Sequence, residues 1–451
     1  MNSTFRKLLI LLFTVVFALS VAETANIHAT SNIVSTIKSG SRCATNYYET
    51  GSQSVNFNIE NSIQGTNQAL LLSTSSPSIA WRQTYPEVGE NRAQWVIQTM
   101  DGGFILTSKP SYILKVDSLG NPQWNRTYPE LTFGSSQPIV QTSEGGYAVA
   151  AAYQNSYILL KTDSFGNPQW NQTYIGYGIC AASAVIQTRD GGYALGGISI
   201  NQSVPVEQGT HSTWLVKTDS NGNMEWNQTL GKGDLKSLIQ TTDGGYAIAK
   251  DHNFNLIKLD SKGALEWNKT YVDRDKNEVY SVVQTSDGGY ALGGWMWLRS
   301  DGGNSNFALV KTDAAGKMQW TQYYGVGTAW SMTKTSDSGF ALVGSNSDRL
   351  VKADSNGTAQ WELDVWGYCV IQTQDGGFAL AGSGHINETT WGPQLTKISR
   401  DPTLPPVSTT PTSEVSPSPT IPELTPFAFL ALAVVVCVLA LTLKRRLKLA
   451  M

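Results

Sequence analysis

The residues that could catalyse a reaction or bind a metal are scattered along this chain of 451 residues. Its four histidines, His28, His211, His252 and His385, lie far apart, and neither a His-x-x-x-His nor a Cys-x-x-Cys pattern occurs. Such spacings hold zinc in proteins. The Gly-x-Ser-x-Gly elbow of a serine nucleophile is also absent. The sequence therefore predicts no metal site and no catalytic group of residues.

Aspartates recur in two series at fixed places. The first series contains Asp101, Asp190, Asp243, Asp287 and Asp375, and the second contains Asp117, Asp163, Asp219, Asp260, Asp313 and Asp354. A calcium ion needs six to eight converging oxygens, whereas each local stretch offers one carboxylate. We interpret these aspartates as turn-capping residues.

Aromatic side chains beside charged or polar ones form three clusters that could bind a sugar or a peptide by stacking and hydrogen bonding. The clusters are Trp295, Trp297, Arg299 and Asp301; Glu207, His211 and Trp214; and His385 with Trp391. An alternative interpretation is that these tryptophans fold back over the protein and shield it. Carboxylates such as Glu207 or Asp301 would be the reactive groups if the protein were a hydrolase.

These candidates are held by a repeated element. Seven units between residues 81 and 401 repeat a tryptophan, then a phrase close to Gln-Thr-x-Asp-Gly-Gly, then a phrase close to Lys-x-Asp-x-x-Gly, with Ser338 in place of the first glycine in the sixth unit. The tryptophans are Trp81, Trp124, Trp170, Trp226, Trp267, Trp320 and Trp361. A period of about 45 residues is typical of propeller blades. The sequence predicts an all-β protein, with a seven-bladed β-propeller over residues 81–401.

Each complete unit contains four predicted strands, A to D, and the A–B and C–D turns are tight turns at the Asp-Gly positions. In the fifth unit these are residues 279–285, 290–294, 308–313 and 318–324. The segment 81–85 is a D strand with no A, B or C before it, and the last unit lacks a D strand. We therefore predict that this first strand completes the last blade and closes the ring. The repeated tryptophans are predicted to pack between blades.

The run Lys161-Thr162-Asp163-Ser164-Phe165-Gly166-Asn167-Pro168-Gln169-Trp170 resembles the tryptophan-docking repeat of quinoprotein-type (PQQ-like) propellers, shortened by one residue. The whole unit is similar to repeats of secreted β-propeller proteins of archaea and bacteria. This resemblance concerns the fold and not an activity. Quinoprotein enzymes usually carry an adjacent cysteine pair, which this chain lacks. We predict no quinone or other cofactor.

The seven units differ most in the length of the B–C connection, the segment between strands B and C. From the second glycine of the Gly-Gly turn to the lysine of strand C, the separations are 12, 15, 25, 13, 22, 13 and 20 residues. Blades three, five and seven therefore carry long loops, and the three aromatic clusters lie on them. Binding residues are often found on such loops.

Seven Asn-x-Ser/Thr sequons occur outside the N-terminal signal, at Asn125, Asn171, Asn201, Asn227, Asn268, Asn356 and Asn387. Four of them follow a strand-D tryptophan directly, so strand alternation places the asparagine on the opposite face. Glycosylation at the rim is one interpretation. The other interpretation is that Asn-x-Thr is simply a favourable pattern of side chains on an edge strand.

Both ends of the chain carry targeting patterns. Residues 1–22 are predicted to form a signal peptide, because they contain two basic residues, an apolar run and a small-x-small cleavage pattern. Residues 23–80 are predicted to form an N-terminal arm or small cap. Residues 402–426 hold eight prolines among serines and threonines and are predicted to form an extended stalk. Residues 427–443 carry no charge and are just long enough for a transmembrane helix, and the basic residues of 444–451 place that end in the cytoplasm.

The segment Ile421-Pro422-Glu423-Leu424 resembles the Pro-Glu-Phe type of archaeal C-terminal sorting signal, with Leu424 in place of the usual phenylalanine. A plain transmembrane anchor and a tail processed by a sortase-like enzyme both remain open.

The composition also limits the classes of protein to which this chain can belong. A net charge of −3 and 15% charged residues disfavour a nucleic-acid partner. Four cysteines exclude a disulfide scaffold, although a Cys43–Cys369 bond and free thiols both remain open. The leading hypothesis is a single-pass cell-surface module, with its propeller outside the cell, that binds a glycan, a peptide or a surface protein. The alternative is an extracellular hydrolase acting on polysaccharide or peptide.

Overall fold

The computed structural model describes residues 76–86, 92–134, 136–200, 211–251, 253–272, 277–298, 303–345 and 348–404. The predicted signal peptide, nearly all of the N-terminal arm, the stalk beyond Leu404, the predicted membrane helix and the basic tail lie outside these residues. Within the part of the chain that the structure describes, no helix is both long and apolar enough to cross a bilayer.

The described residues form 29 strands in seven antiparallel sheets, which we number as blades one to seven. The strand β1 (Ile79–Thr84) comes before the first complete blade. Blade one contains β2 (Ala93–Gln98), β3 (Phe104–Ser108), β4 (Tyr112–Val116) and β5 (Pro122–Thr127). Blade two contains β6 (Thr132–Phe133), β7 (Ile139–Gln141), β8 (Tyr147–Tyr153), β9 (Ser156–Thr162) and β10 (Pro168–Tyr174). Blade three contains β11 (Ile179–Gln187), β12 (Tyr193–Ile200), β13 (His211–Thr218) and β14 (Met224–Lys232).

The remaining blades repeat the four-stranded order. Blade four contains β15 (Leu235–Gln240), β16 (Tyr246–Lys250), β17 (Asn255–Leu259) and β18 (Leu265–Thr270). Blade five contains β19 (Asn277–Gln284), β20 (Tyr290–Leu298), β21 (Asn304–Thr312) and β22 (Met318–Val326). Blade six contains β23 (Thr328–Lys334), β24 (Phe340–Ser345), β25 (Arg349–Ala353) and β26 (Ala359–Asp364). Blade seven contains β27 (Cys369–Gln372), β28 (Phe378–His385) and β29 (Trp391–Ile398), to which β1 is added.

The A strands form the inner wall of a closed ring. They contact one another in the order β2, β7, β11, β15, β19, β23, β27 and back to β2. Each of the seven interfaces between blades has its own cluster of buried apolar side chains. The predicted seven-bladed propeller is therefore confirmed.

The first strand closes the ring as predicted. β1 pairs antiparallel with β29 and becomes the outermost strand of blade seven. Just before it, the backbone N of Ser78 donates to Oγ of Ser399 at 2.9 Å, and the N of Ser399 donates to the carbonyl O of Ser78 at 2.9 Å. The N of Asp401 then donates to the carbonyl O of Gly376, in the A–B turn of blade seven, at 3.0 Å. Both ends of the described chain therefore leave the ring at the end that carries the A–B and C–D turns, which we call the turn end. The opposite end, with the B–C and D–A connections, is the loop end.

The repeated tryptophans pack between blades, as predicted. Trp320 lies over Gly357 in the C–D turn of the next blade, so closely that a Cβ on that glycine would stand 2.7 Å from Cζ3 of the indole. Tyr324 donates its hydroxyl to the carbonyl O of Gly357 at 2.8 Å. The same hydroxyl-to-glycine bond joins Tyr85 to Gly120, Tyr128 to Gly166, Tyr174 to Gly222 and Tyr271 to Gly316. The most visible residues of the repeat are thus used to join blades.

Candidate functional site

The A strands carry a β-bulge at one repeated position near the loop end. Pairing with strand B skips one residue in blades one, three, four, five and six. The skipped residues are Gln94, Ser183, Lys236, Tyr280 and Trp330. Each lies four positions before the place where the repeat has its glutamine. A bulge re-aims the side chain of its extra residue, and four of these five side chains line the central channel.

A cavity of about 220 Å³ opens where the channel meets the loop end. We call it the channel-mouth pocket. It is lined by Gln94, Trp95, Ser136, Lys236, Tyr280, Trp330 and Tyr368. These residues come from six of the seven blades, so the pocket exists only because the ring is closed.

Three aromatic rings form an arc along one side of the pocket. The ring centroids of Tyr280 and Trp330 are 4.9 Å apart with an interplanar angle of 62°, and those of Trp330 and Tyr368 are 6.4 Å apart at 53°. Nε1 of Trp330 donates to Oγ of Ser345 at 2.7 Å, which fixes the indole. Trp366 meets Tyr368 edge-on, with centroids 5.5 Å apart. The arc is therefore held in place by its neighbours and keeps half-buried ring surface at the mouth.

A cation stands at each end of the aromatic arc. Nζ of Lys236 lies 5.7 Å from the ring centroid of Tyr280. At the other end, Cζ of Arg92 lies 5.4 Å from the ring centroid of Tyr368, and its Nη1 donates to the tyrosine hydroxyl. Cations over aromatic faces are attracted to the ring quadrupole. The arrangement in order around the mouth is cation, three rings, cation.

Two carboxylates lie close to this arrangement. The hydroxyl of Tyr280 donates to Oε2 of Glu278 at 2.5 Å. Burial, together with that neighbouring carboxylate, raises the pKa of Tyr280 well above its usual value, so the phenol stays protonated. Oδ2 of Asp251 is 4.0 Å from Nζ of Lys236, at the outer limit of an ion pair. Asp251 also accepts a hydrogen bond from the backbone N of Asp234 at 2.6 Å.

The structure places the sequence-predicted residues of blade three at different depths. Trp214 is 5% exposed, and its ring packs on Tyr157 with centroids 4.6 Å apart. Its Nε1 donates to Oδ1 of Asn227 at 3.2 Å. Trp214 thus packs in the core between blades two and three. His211 is exposed at the start of β13, with Nδ1 3.6 Å from Oδ1 of Asp234. Glu207 lies outside the described residues.

The predicted residues of blades five and seven lie on strands at the loop end. Trp297 donates its Nε1 to the carbonyl O of Gly303, across the hairpin from which both arise, and Trp295 is half-buried on the same strand. His385 and Trp391 form a cross-strand pair with ring centroids 3.8 Å apart, and Trp391 is 44% exposed. Arg299 and Asp301 lie outside the described residues. None of the predicted ligand-binding residues is among those that line the channel-mouth pocket.

Sequence reasoning missed the channel-mouth residues because it searched the loops of unusual length. A signal did exist inside the repeat. The position four residues before the repeat's glutamine holds Gln94, Gln137, Ser183, Lys236, Tyr280, Trp330 and Tyr368 in the seven blades, with a lysine replacing the glutamine in blade six. A position that varies this much within a regular repeat has no side-chain role common to all the blades.

Six of the seven sequon asparagines are described, and all six are exposed: Asn125, Asn171, Asn227, Asn268, Asn356 and Asn387. Asn387 caps its own turn, because its Oδ1 accepts hydrogen bonds from the backbone N of Thr389 at 3.0 Å and of Thr390 at 2.8 Å. Asn201 lies outside the described residues. Glycosylation stays a prediction.

The described residues contain no group of three or more His, Cys, Asp or Glu side chains placed to hold a metal. Cys180 and Cys369 are buried free thiols, and burial raises the pKa of Cys369 to about 12. Cys43, the other member of the Cys43–Cys369 bond that the sequence left open, lies outside the described residues.

Fold and site together define a seven-bladed β-propeller with a pocket at the loop end of its central channel. No protein-family model matches the chain, and no curated protein sequence matches it significantly.

Solved structures similar to this chain are propellers of low sequence identity. The virginiamycin B lyase of Staphylococcus aureus has a TM-score of 0.51 and 8% identity, over 71% of this chain and 98% of that one. A streptogramin B lyase has a TM-score of 0.50 and 11% identity, over 71% and 98%. BamB from Moraxella catarrhalis has a TM-score of 0.45 and 11% identity, over 72% and 99%. The resemblance to propeller proteins is thus confirmed for the fold alone.

Proposed function

We propose that this protein is a binding module of the cell surface, which holds its ligand in the channel-mouth pocket. The predicted signal peptide, stalk and membrane helix support a position outside the cell on a single anchor. The pocket supports the binding role, because concave sites with aromatic walls and a few polar groups are the usual form of a ligand site.

The observation that carries this proposal is the placement of the pocket relative to the chain ends. The described chain ends at Leu404, at the turn end, and the predicted stalk of residues 402–426 begins there. A polyproline-like stalk rises ~3.1 Å per residue and would extend roughly 75 Å. The channel-mouth pocket lies at the opposite end of the ring. On such an anchor it faces away from the membrane and toward its surroundings.

The form of the pocket favours a saccharide over a peptide. Its volume of about 220 Å³ suits one ring-sized unit, whereas an extended peptide needs a groove or a free strand edge. Ring faces stack against the apolar face of a sugar, while Gln94, Ser136 and Lys236 offer hydrogen-bonding groups at the rim. The geometry thus supports recognition of one unit of a glycan.

Binding is also favoured over hydrolysis. A glycosidase needs two carboxyl groups that face each other across the bond to be cleaved. Among the described residues that line the pocket, none is an aspartate or a glutamate. The two nearby carboxylates are engaged with residues of the wall: Glu278 accepts a hydrogen bond from the hydroxyl of Tyr280, and Asp251 lies 4.0 Å from Nζ of Lys236.

A binding screen tests the proposal. The full-length chain, solubilised in mild detergent, is applied to immobilised glycans and to immobilised surface peptides, as wild type and as the Tyr280→Leu and Trp330→Leu variants. Trp391→Leu is the matched control, because Trp391 is also at the loop end but away from the pocket. We expect glycan binding that both pocket variants lose and the control keeps. Binding to peptides alone, or loss in the control with retention in both pocket variants, would contradict the proposal.

A further inference from the structure

We infer that the channel-mouth pocket recognises a carboxylate-bearing saccharide, such as a uronic acid unit. This inference rests on the proposed function and adds the charge of the ligand to it. The chemistry is carried by the two cations that flank the aromatic arc, Lys236 and Arg92, and by the three rings between them.

Ring stacking sets the shape of the ligand. The rings of Tyr280, Trp330 and Tyr368 belong to three successive blades and follow the wall of the channel, with neighbouring ring planes inclined at 62° and 53°. A pyranose has an apolar C–H face and polar hydroxyls at its edge. Its face stacks on Trp330, the middle ring of the arc, and its edge meets Gln94 and Ser136.

The cations set the charge of the ligand. Lys236 keeps 22% of its side-chain surface exposed, and its contact with Asp251 at 4.0 Å leaves ammonium protons for a further acceptor. Arg92 is exposed, and its planar guanidinium matches the two oxygens of a carboxylate. An ionised carboxylate on a sugar that is stacked on the arc can meet either cation, according to the direction in which the sugar enters.

The same two cations disfavour a positively charged ligand, which is the other kind of ligand that aromatic pockets bind. Quaternary ammonium groups bind in cages of aromatic faces. Here the faces of Tyr280 and Tyr368 already carry Lys236 and Arg92, at 5.7 and 5.4 Å from the ring centroids. A third positive charge in the pocket would be repelled by both, and the two nearby carboxylates are already engaged, Asp251 with Lys236 and Glu278 with the hydroxyl of Tyr280. An anionic or neutral ring is left as the ligand, and the exposed cations favour the anionic one.

The test compares acidic oligosaccharides with their own neutral forms. Oligomers of galacturonate, of alginate and of hyaluronan are titrated calorimetrically into the full-length chain in detergent, and so are the same oligomers after reduction of their carboxyl groups to alcohols. The variants are Lys236→Met and Arg92→Gln. Lys262→Met is the matched control, because Lys262 is exposed in a C–D turn at the turn end.

At least one acidic oligomer is expected to bind, and its reduced form to bind about tenfold more weakly or worse, since a charge-assisted hydrogen bond is lost. At least one of Lys236→Met and Arg92→Gln should lose about tenfold in affinity for the acidic form and nothing for the reduced form, while the control stays within about twofold. The affinity for the acidic form should also fall with added salt.

Three results would overturn the inference. If reduced and acidic oligomers bind equally, and Trp330→Leu abolishes both, the pocket is a neutral saccharide site, so the proposed function stands and the charge of the ligand is wrong. If acidic oligomers bind to Lys236→Met and to Arg92→Gln as tightly as to the wild type, they bind elsewhere. If no oligomer binds while the screen above finds peptide ligands, the inference and the proposed function both fail.

Discussion

Nζ of Lys311 lies 2.8 Å from Oδ2 of Asp287, and so joins the third strand of blade five to its first turn. The lysine is 6% exposed by its side chain, and its remaining partners are the carbonyl O of Thr312 at 2.8 Å and Oε1 of Gln319 at 3.0 Å. The other blades repeat this ion pair as Lys115–Asp101, Lys161–Glu144, Lys217–Asp190, Lys258–Asp243, Lys352–Asp337 and Lys397–Asp375. The charged residues of the repeat therefore hold each blade together.

Removing the turn carboxylate should destabilise blades unequally. Lys258 has a second carboxylate, Glu266, at 3.2 Å, whereas the corresponding partner of Lys311 is the neutral Gln319. Asp287→Asn should thus cost about 2 kcal/mol of unfolding free energy, and Asp243→Asn about 1 kcal/mol, values reduced because the aspartates are half exposed. Urea unfolding measures both. Equal losses would show that Glu266 does not compensate for the missing carboxylate of Asp243.

The same pairs predict a stability that falls in acid. Burial raises the pKa of Asp243 and of Asp287, but hydrogen bonds from the neighbouring threonine and lysine outweigh it and lower each pKa to about 2. An unfolded aspartate has a pKa of about 3.9. The stabilisation is therefore complete above about pH 4 and is lost as the pH falls toward about 2, because the folded protein resists protonation. The urea midpoint at constant ionic strength should drop across this window, and less so in Asp287→Asn. A midpoint that is flat from pH 5 to 2 would contradict this account.

The repeat made most of the fold predictable. In blade five the predicted strands agree with β19 to β22 apart from their ends, and they are longer than predicted at the loop end, where β20 continues to Leu298 and β21 begins at Asn304. The closing strand was predictable because an outermost strand was missing from one end of the repeat and present at the other. Turn glycines and tryptophans could be assigned because each recurs in every unit with one role.

The channel-mouth pocket could not be predicted in the same way. Strict alternation along an A strand assigns Tyr280 and Ser281 to opposite faces, but the bulge between Val279 and Ser281 changes that assignment. Bulges follow from the pairing of two strands in space, and no residue type marks them here: the bulged positions hold Gln, Ser, Lys, Tyr and Trp. Which blades meet across the channel is also unknown until the ring is closed.

Two glycines with similar backbone conformations should respond differently to alanine. Gly102 and Gly357 have φ of 80° and 83°, which is left-handed and costs an alanine about 1–2 kcal/mol. No heavy atom lies within 4 Å of a Cβ at position 102, whereas at position 357 the ring of Trp320 lies 2.7 Å away. Gly357→Ala should therefore lower the free energy of unfolding by about 1–3 kcal/mol more than Gly102→Ala. Similar losses would show that the indole moves aside freely.

At the turn end, a repeated glutamine joins neighbouring blades by a hydrogen bond, and we call this set of bonds the glutamine belt. One blade lacks its glutamine, and restoring it should stabilise the protein. Gln284 accepts a hydrogen bond from the backbone N of Thr242 in the preceding blade at 2.8 Å. Five other blades repeat this bond through Gln98, Gln141, Gln187, Gln240 and Gln372. Blade six has Lys334 instead, opposite Ser286. Lys334→Gln should add about 0.5–1.5 kcal/mol of stability, with Lys262→Gln, in a turn outside the belt, as the control. An unchanged or lower melting temperature would count against the belt.

The central claim is that the ligand binds at the channel mouth and not at the B–C hairpin of blade five. The direct measurement is the dissociation constant of the best saccharide from the screen for the wild type, for Trp330→Leu and for Trp297→Ala, each checked for an unchanged melting temperature. Trp297 is the residue to compare because its indole is bonded to Gly303 within that hairpin and it does not line the pocket. We expect a loss of about tenfold or more for Trp330→Leu, because stacking on one ring is worth ~1–3 kcal/mol where it has been measured for bases, and a change within about twofold for Trp297→Ala. Undiminished binding by Trp330→Leu with loss in Trp297→Ala would move the site to the hairpin of blade five and contradict the central claim.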